Sequence, residues 1–345
     1  MRTLLEVQRK LLPDFLTVMQ KRYDILRHIK MLQPVGRRSL AVSLNLTERI
    51  LRSEIDFLKG QNLINIFSSG MMLSEEGIEV LEKLEGIMRE VMGIDLMERQ
   101  LQEMLQVDEV IIVSGNCEES PWVKKELGKA CAIRMKREWK TKNTIAVTGG
   151  STMAEVANSL SPDEASMQLT FVPARGGLGE ATQIQANTIV EKMAHKARAS
   201  YRVLYVPDQL SDESYTSIMK EPAMKEVITK IKSADMIIHG IGDALAMAKR
   251  RNTSSDMLKK LIDGNAVGEA FGYYYDENGT VVHKVLTVGI QLEDLSPEKR
   301  VITVAGGKTK VKAIRSYMKG APSSTVLITD EAAALELIQG YHTLK

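Results

Sequence analysis

The sequence predicts an α/β chain with an N-terminal winged helix-turn-helix domain followed by a doubly wound, Rossmann-like domain. Residues 34–73 show the spacing of a helix-turn-helix and a hairpin, and after residue 107 short β-branched runs alternate with helical stretches. A length of 345 residues also exceeds what one hydrophobic core usually serves. We expect a first domain over 1–90, a helical linker over 91–106 and a second domain over 107–345.

Two helices joined by a tight turn are predicted within residues 34–64. Ser39 can cap the first helix, Asn45 breaks it, and Thr47 can cap the second. Two strand-like runs surround Ser68-Ser69-Gly70 and predict a wing hairpin. The apolar residues at helical spacing are expected to face the core: Leu40, Val42, Leu44, Ile50, Leu51, Ile55 and Leu58.

The outward face of the second helix carries side chains suited to reading base edges. Base contacts of a recognition helix lie on its N-terminal half, and Arg reaches guanine edges with two hydrogen bonds. The alternative is an ordinary helical hairpin with a solvated charged face, but the following hairpin favours the winged helix. The predicted DNA-binding residues are Arg37, Arg38, Thr47, Arg49, Arg52 and Ser53.

Positive charge is concentrated in the segment that is expected to contact DNA phosphates. Residues 1–60 hold twelve Lys and Arg against six Asp and Glu, whereas residues 61–90 hold two against six. The whole chain carries a net charge of only +2. Local positive charge favours double-stranded DNA as a partner, and aromatic residues at 5% disfavour single-strand binding by base stacking.

Several functional classes are disfavoured. No apolar run approaches the ~20 residues of a membrane helix, and Glu6 and Arg9 interrupt any signal-peptide pattern, so a cytoplasmic protein is expected. Cys117 and Cys131 lack the spacing of a metal or redox motif and are expected to be buried thiols. The five histidines form no metal pattern, and no metal is predicted.

An apolar stripe is predicted on the helical stretch between the two domains. It can pack on its own domain or pair two subunits, and pairing is the favoured interpretation because operator-binding modules of this type usually act as dimers. Gly93 is expected to interrupt the stretch. The stripe consists of Ile78, Leu81, Leu84, Met88 and Val91.

The second domain is predicted to hold a parallel sheet, because its apolar runs are continuous rather than alternating. An antiparallel pair of strands is expected between Gly268 and Lys284, joined at Asp276 to Gly279. Helices are expected at 152–160, 181–198, 213–233 and 308–319. The predicted strands of the parallel sheet lie within 109–115, 143–150, 169–177, 201–207, 234–243, 300–307 and 324–330.

Glycine clusters follow four of these strands and predict an anion site. Ligands bind outside the carboxyl ends of parallel strands, where glycine amides and helix N-termini attract phosphate. Ser151 and Thr152 can donate hydroxyl hydrogen bonds, Arg175 can bind a phosphate with two bonds, and Lys310 adds a charge. Because neither a P-loop nor a complete GxGxxG is present, a small phosphorylated metabolite fits better than a nucleotide cofactor.

Two further residue groups leave alternatives open. Glu269 can accept hydrogen bonds from sugar hydroxyls, or it can be a solvated loop carboxylate. The basic run Lys249-Arg250-Arg251 is predicted, from its position alone, to be a solvated helix end rather than a ligand group.

The motif array resembles one bacterial family. The segments "TGGST", "ARGGLG", "QANT", "HGIGDA", "GEAFGYYYDENG" and "AGGKTK" are similar to the sugar-binding domain of SorC-type transcription regulators, and the resemblance extends over nearly all 345 residues. Position by position, Ser151 and Thr152 match its phosphate-loop hydroxyls, with Ser151 standing where Thr is usual. The resemblance gives the predicted effector site as Gly149, Gly150, Ser151, Thr152, Arg175, Gly177, Leu178, Gly179, Gln185, Arg250, Glu269 and Lys310.

The resemblance implies a tetrameric repressor, a dimer of dimers, acting on a glycolytic operon. Its implied effector is a sugar phosphate, chiefly fructose-1,6-bisphosphate, and its fold is related to glucosamine-6-phosphate deaminase and ribose-5-phosphate isomerase. A sugar-phosphate isomerase or deaminase is therefore the alternative function. The deaminase segment resembling "GIGxDGHxAFNEP" supplies an Asp and a His for proton transfer, whereas residues 240–250 displace the Asp and lack the His. We therefore expect no enzyme activity and no cofactor beyond the effector.

Overall fold

The computed structural model describes residue 11 and residues 13–139, 142–177 and 181–342. The chain divides into two compact units, which part between Leu96 and Met97. In the part of the chain that the structure describes, no helix has the length and apolarity needed to cross a membrane.

The first unit is a helix-turn-helix with a hairpin. Its strands pair antiparallel, with Phe67 opposite Gly70 at the turn, so the predicted wing is confirmed. The next helix, beyond Gly93, spans the boundary between the two units (α5, Ile94–Leu105). The elements of the first unit are α1 (Pro13–Leu32), α2 (Arg37–Ser43), α3 (Glu48–Gly60), β1 (Ile64–Phe67), β2 (Gly70–Leu73) and α4 (Glu75–Val91).

Local capping fixes where the helices begin. Thr47 accepts a hydrogen bond from the amide of Ile50 at 3.3 Å, which confirms it as the cap of α3. Asn45 adopts φ 51° in the turn before it, as expected of a helix-breaking residue. The predicted cap Ser39 is wrong: α2 begins after Gly36, because the backbone of Val35 is held in a bridge to Met71 and the helix starts directly beyond it.

The buried face of α3 differs from the predicted one. Leu51, Ile55 and Leu58 are buried, but Ile50 is 45% exposed and Val42 on α2 is 79% exposed, so the expectation that they face inward is wrong. Glu54 is buried instead, and its carboxylate binds the amine of Lys21 at 2.8 Å and the guanidinium of Arg22 at 2.9 Å. One buried position of α3 is therefore occupied by a carboxylate, whose burial is offset by its two ion pairs.

The stripe on α4 contributes to the core of its own unit. Leu81 and Met88 are buried in the same cluster as Leu26 and Leu51, whereas Ile78 is 37% exposed. The favoured interpretation, in which the whole stripe pairs two subunits, is therefore wrong for its two most buried members. Gly93 adopts φ 71° at the end of α4, where a break was predicted.

The second unit is built on a seven-stranded parallel sheet. Its strand order is β3-β13-β12-β7-β4-β5-β6, and every residue of β7 and β13 is buried, so both faces of the sheet are covered. From β4 the chain adds β5 and β6 on one side, and from β7 it adds β12 and β13 on the other, so the strand order reverses between β4 and β7. The strands are β3 (Glu109–Val113), β4 (Thr144–Val147), β5 (Thr170–Pro173), β6 (Ser200–Tyr201), β7 (Met236–His239), β12 (Arg300–Val304) and β13 (Thr325–Asp330).

Helices and a smaller sheet complete this unit. A four-stranded antiparallel sheet contains the predicted pair and two further strands: β8 (Gly242–Asp243), β9 (Gly268–Ala270), β10 (Tyr273–Tyr275) and β11 (Val281–Lys284). The helices are α6 (Pro121–Lys136), α7 (Ser151–Ser159), α8 (Ala186–Ala197), α9 (Asp212–Ile218), α10 (Pro222–Lys232), α11 (Ala244–Arg250), α12 (Ser255–Asp263), α13 (Val311–Met318) and α14 (Glu331–His342).

Two predicted elements are shorter or divided in the structure. The run 201–207 pairs at its start and again where Pro207 bridges Gly177. Between these points the side chain of Asn187 binds both the amide and the carbonyl of Leu204 at 3.0 Å and replaces the sheet hydrogen bonds there. The predicted helix 213–233 is two helices, α9 and α10, since Pro222 starts a new helix.

Two glycines of α4 give a matched test of the packing between the wing and this helix. A Cβ at Gly77 would overlap the carbonyl oxygen of Leu63, whereas one at Gly86 would meet no atom within 4 Å. We expect Gly77→Ala to destabilise the first unit by about 1–3 kcal/mol and Gly86→Ala to stabilise it by roughly 0.5–1 kcal/mol. Calorimetric melting of the intact chain measures both shifts, and equal shifts for the two variants would contradict the packing.

Candidate functional site

A cavity of about 140 Å³ opens at the point where the strand order reverses. The loops after β4 and β7 form two of its walls. These strands are neighbours, but the chain continues from β4 towards one edge of the sheet and from β7 towards the other, so the two loops diverge. The loop after β5 contributes Arg175 and Gly176, and the smaller sheet contributes Glu269 and Phe271. This cavity lies at the carboxyl edge of the parallel sheet, where the sequence predicts the effector site.

The N-terminus of α7 faces this cavity. Gly149, Gly150, Ser151 and Thr152 line it, and Gly150 adopts φ 126° immediately before the helix. The first intrahelical bond runs from the amide of Ala154 to Gly150, so the first-turn amides have no acceptor within the helix. These amides and the two hydroxyls form a binding surface for an anionic oxygen.

Lys310 brings positive charge to the same cavity. In residues 13–139, 142–177 and 181–342, no carboxylate forms a salt bridge with its amine. Burial lowers the pKa of Lys310 below its ordinary value, and Lys124 adds to this effect while Cys117 and Glu118 oppose it. A bound phosphate would supply the missing counter-charge.

The backbone of the glycine loop after β12 is already used by the protein. The amide of Gly307 binds Asp330 at 3.0 Å and 3.1 Å, and the amides of Lys308 and Thr309 bind Glu118 at 3.0 Å and 3.3 Å. These three backbone amides therefore bind carboxylates of the chain itself and are not available to a ligand. Of the anion-binding groups predicted in this loop, only the Lys310 side chain is left to contact a ligand.

Four buried charges form a cycle beside the cavity. Arg175 contacts Asp208 at 2.5 Å and Glu269 at 2.9 Å, and Arg251 contacts the same two carboxylates at 2.8 Å and 2.9 Å. Arg251 also donates to the hydroxyl of Tyr274 at 2.8 Å. Each carboxylate thus bridges two guanidinium groups, so every charge of the cycle has an ion-pair partner. Nη2 of Arg175 is buried without a hydrogen-bond partner among the described residues.

The cycle leaves one oxygen of Glu269 available. Oε1 accepts from Arg175, from Arg251 and from the amide of Gly272 at 2.6 Å, while Oε2 accepts no hydrogen bond from any described residue. Burial would raise the pKa of Glu269, but the two guanidinium groups and the Gly272 amide hold it below its ordinary value. The ionised Oε2 can accept a hydroxyl, and the alternative of a solvated loop carboxylate is wrong because Glu269 is buried.

The basic run at the end of α11 is not the solvated helix end that its sequence predicts. The Arg251 side chain is only 1% exposed, and Arg250 lines the cavity with Nη1 at 3.7 Å from the sulfur of Met247. Local sequence gave no signal for this burial, because Asp208, Glu269 and Tyr274 come from separate elements. The prediction is therefore wrong for both arginines.

The structure brings most of the predicted effector residues together. Gly177 does not line the cavity, and a Cβ there would lie 2.5 Å from Oε1 of Gln185. Leu178 and Gly179 lie outside the described residues. The residues that sequence reasoning missed include Asp208, Arg251 and the apolar Phe271. The predicted residues that do line the cavity are Gly149, Gly150, Ser151, Thr152, Arg175, Gln185, Arg250, Glu269 and Lys310.

Titratable groups near the site have structural partners. His239 is fully buried, and burial lowers its pKa to about 4 while its Nε2 meets the hydroxyls of Thr303 and Tyr317. Asp243 caps α11 by accepting from the amide of Ala246 at 2.8 Å. Cys131 is buried as expected, whereas Cys117 is only partly buried. Among the described residues no group of three or more His, Cys, Asp and Glu side chains could hold a metal.

The predicted DNA-contacting residues all lie on the surface of the first unit. They occupy α2 and the N-terminal half of α3, and the guanidinium of Arg38 lies 3.7 Å from the carboxylate of Glu48. Exposed side chains on one face are what base and phosphate contacts require. The six exposed residues are Arg37, Arg38, Thr47, Arg49, Arg52 and Ser53.

Comparison with known proteins gives the family. Residues 18–88 match the CggR N-terminal DNA binding domain, and residues 89–339 match the model described as "Putative sugar-binding domain". The central glycolytic genes regulator of Priestia megaterium is 57% identical over 99% of this chain and 100% of that protein. The chain belongs to the family of central glycolytic genes regulators. The Bacillus subtilis member is 52% identical over 98% of this chain and 99% of that protein.

Solved structures agree with this placement. A SorC family transcriptional regulator from Enterococcus faecalis is 45% identical, with a TM-score of 0.67, over 70% of this chain and 99% of that chain. The full-length sorbitol operon regulator SorC from Klebsiella pneumoniae has a TM-score of 0.63 at 19% identity, over 88% of this chain and 94% of that chain, and shows the fold alone. The expected SorC-type family, fold class and regulator function are confirmed.

This chain matches both a DNA-binding domain and a sugar-binding domain, which is the composition of a transcription regulator. The isomerase or deaminase alternative is set aside, because the proteins that match the chain over nearly its whole length are named as regulators.

Removal of one guanidinium tests the charge cycle. Arg251→Met leaves Asp208 and Glu269 each with a single buried partner, so we expect the second unit to lose about 3–5 kcal/mol of stability. Arg198→Met is the control, because its side chain makes no contact with the cycle. Calorimetric melting checks both variants, and an unchanged transition for Arg251→Met would show that the cycle contributes little.

Proposed function

We propose that this chain is a repressor of a glycolytic operon, which binds double-stranded operator DNA through α3 and is relieved by a phosphorylated sugar. The proposed effector is fructose-1,6-bisphosphate or a related sugar phosphate. The observation that carries the proposal is the composition of the cavity, which joins the N-terminus of α7 and Lys310 to an unused oxygen of Glu269. The names of the glycolytic regulators from Priestia and Bacillus support the choice of operon.

The chemistry of the cavity fits a sugar phosphate at several points. A phosphate at the start of α7 would receive the free amides and the hydroxyls of Ser151 and Thr152, with Lys310 as the counter-charge. Sugar hydroxyls would donate to Oε2 of Glu269. A second phosphate would be met by Arg250, which also lines the cavity.

Relief of repression requires differential affinity. The effector shifts the regulator only if it binds the DNA-released form more tightly than the DNA-bound form, and by linkage operator DNA then weakens effector binding by the same factor. We propose that a dimer of dimers holds two operator half-sites at fixed spacing in the cytoplasm. Sedimentation of the intact chain would distinguish a tetramer from a monomer.

Arg49 and Arg52 are proposed to carry sequence recognition. Loss of a two-bond contact to a base should cost about 1–3 kcal/mol, so Arg49→Ala and Arg52→Ala should lower the ratio of operator to scrambled-DNA affinity. Lys59→Ala, at the exposed C-terminal end of α3, is the matched control and should change both affinities alike. Fluorescence anisotropy with an operator selected from random DNA measures the ratio, which would stay constant if α3 does not read bases.

Lys310→Met tests the effector site without breaking an ion pair. Loss of a charge-assisted bond should weaken effector binding by roughly 1.5–3 kcal/mol and shift the release of operator to higher fructose-1,6-bisphosphate, while binding without effector stays normal. Arg175→Ala is less decisive, because it also removes a partner of Asp208 and Glu269.

Lys308→Met is the control for this experiment, since Lys308 is exposed in the same turn and does not line the cavity. Operator release titrated with fructose-1,6-bisphosphate compares the three proteins. A release curve for Lys310→Met that matches the unmodified chain would contradict the proposed effector site.

A further inference from the structure

One exposed aliphatic side chain lies on the part of α3 proposed to read bases. Ile50 stands in the first turn of this helix and is 45% exposed. Its amide is held by the side chain of the cap Thr47, which fixes the backbone from which Ile50 projects. The buried face of α3 is formed by other residues, so the position of Ile50 is not explained by the core of the first unit.

On its exposed side, Ile50 is surrounded by polar residues of the same segment. On a helix, residues three apart share a face, which places Ile50 in line with Thr47 and Ser53. Arg49 and Arg52, also exposed, lie to one side of this line. An isolated exposed apolar residue elsewhere on a protein surface needs no explanation, but this one lies among the proposed base contacts.

The chemistry of the major groove offers one partner for such a side chain. Bases present hydrogen-bond donors and acceptors there, and the only apolar group is the C5 methyl of thymine. The surrounding arginines and the excess of Lys and Arg in residues 1–60 complement phosphates rather than an apolar protein surface. DNA therefore fits this face better than a second copy of the chain.

We infer that Ile50 contacts the C5 methyl of a thymine in the major groove and selects thymine at one position of each operator half-site. This inference rests on the proposed function, in which α3 is the recognition helix. Arg49 and Arg52 would then read polar base edges while Ile50 reads the apolar one. The side chain contributes specificity at a base pair that no arginine contact defines.

The test removes the methyl group from the DNA. An operator is selected from random DNA with the intact protein, and each thymine is replaced in turn by deoxyuridine, which differs only by that methyl. We expect one thymine in each half-site whose replacement weakens binding about four-fold, equivalent to the ~0.8 kcal/mol of one buried methylene-sized group. With Ile50→Ala this loss should disappear, whereas Ile50→Val should retain part of it.

Val42→Ala is the matched control. Val42 is 79% exposed, but it lies on α2 rather than α3, so its removal should leave the thymine-to-deoxyuridine loss unchanged. Thermal melting verifies that the variants fold, which we expect because neither side chain is buried. Fluorescence anisotropy at fixed salt measures each affinity.

Two outcomes would overturn the inference: an Ile50→Ala protein that keeps the four-fold loss, or an intact protein insensitive to every thymine methyl. A change in sedimentation of Ile50→Ala without a change in DNA binding would also overturn it and assign Ile50 to a protein interface. These results are distinguishable from failure of the proposed function. In that case, Arg49→Ala and Arg52→Ala would also leave the affinity ratio for operator and scrambled DNA unchanged.

Discussion

Two arginines and two carboxylates, buried together, hold one wall of the cavity at the carboxyl edge of the parallel sheet. Arg175 follows β5, Arg251 directly follows α11, Asp208 lies in the loop before α9, and Glu269 belongs to β9. Because each carboxylate bridges both guanidinium groups, none of the four segments can move away without leaving a buried charge unpaired. The cycle therefore builds one wall of the cavity before any ligand binds, and it consumes charges that seemed available for the ligand.

What remains available is a smaller and more specific set of groups. The start of α7, the amine of Lys310, Nη2 of Arg175 and Oε2 of Glu269 are among the groups left after the internal bonds are counted. This division fits a binding protein, since preformed polar groups lower the cost of ordering the site. The nearby carboxylate of Asp243 is used by the protein itself, since it caps α11.

Sequence alone could predict features that depend on neighbouring residues. The cap at Thr47, the turn at Asn45 and the continuous apolar strands follow from local pattern, and so does the glycine junction before α7. Features set by distant contacts were missed. Arg251 is buried by partners far away in the chain, and the strand expected at 201–207 is interrupted because Asn187 satisfies the backbone of Leu204.

The most direct test is a crystal structure of the chain with fructose-1,6-bisphosphate. We predict a phosphate within hydrogen-bonding distance of the Ser151 and Thr152 amides and the Lys310 amine, and a sugar hydroxyl on Oε2 of Glu269. The contacts of Arg175 and Arg251 with Asp208 and Glu269 should persist. A phosphate bound elsewhere, or a guanidinium that leaves both carboxylates to bind the ligand, would contradict the account.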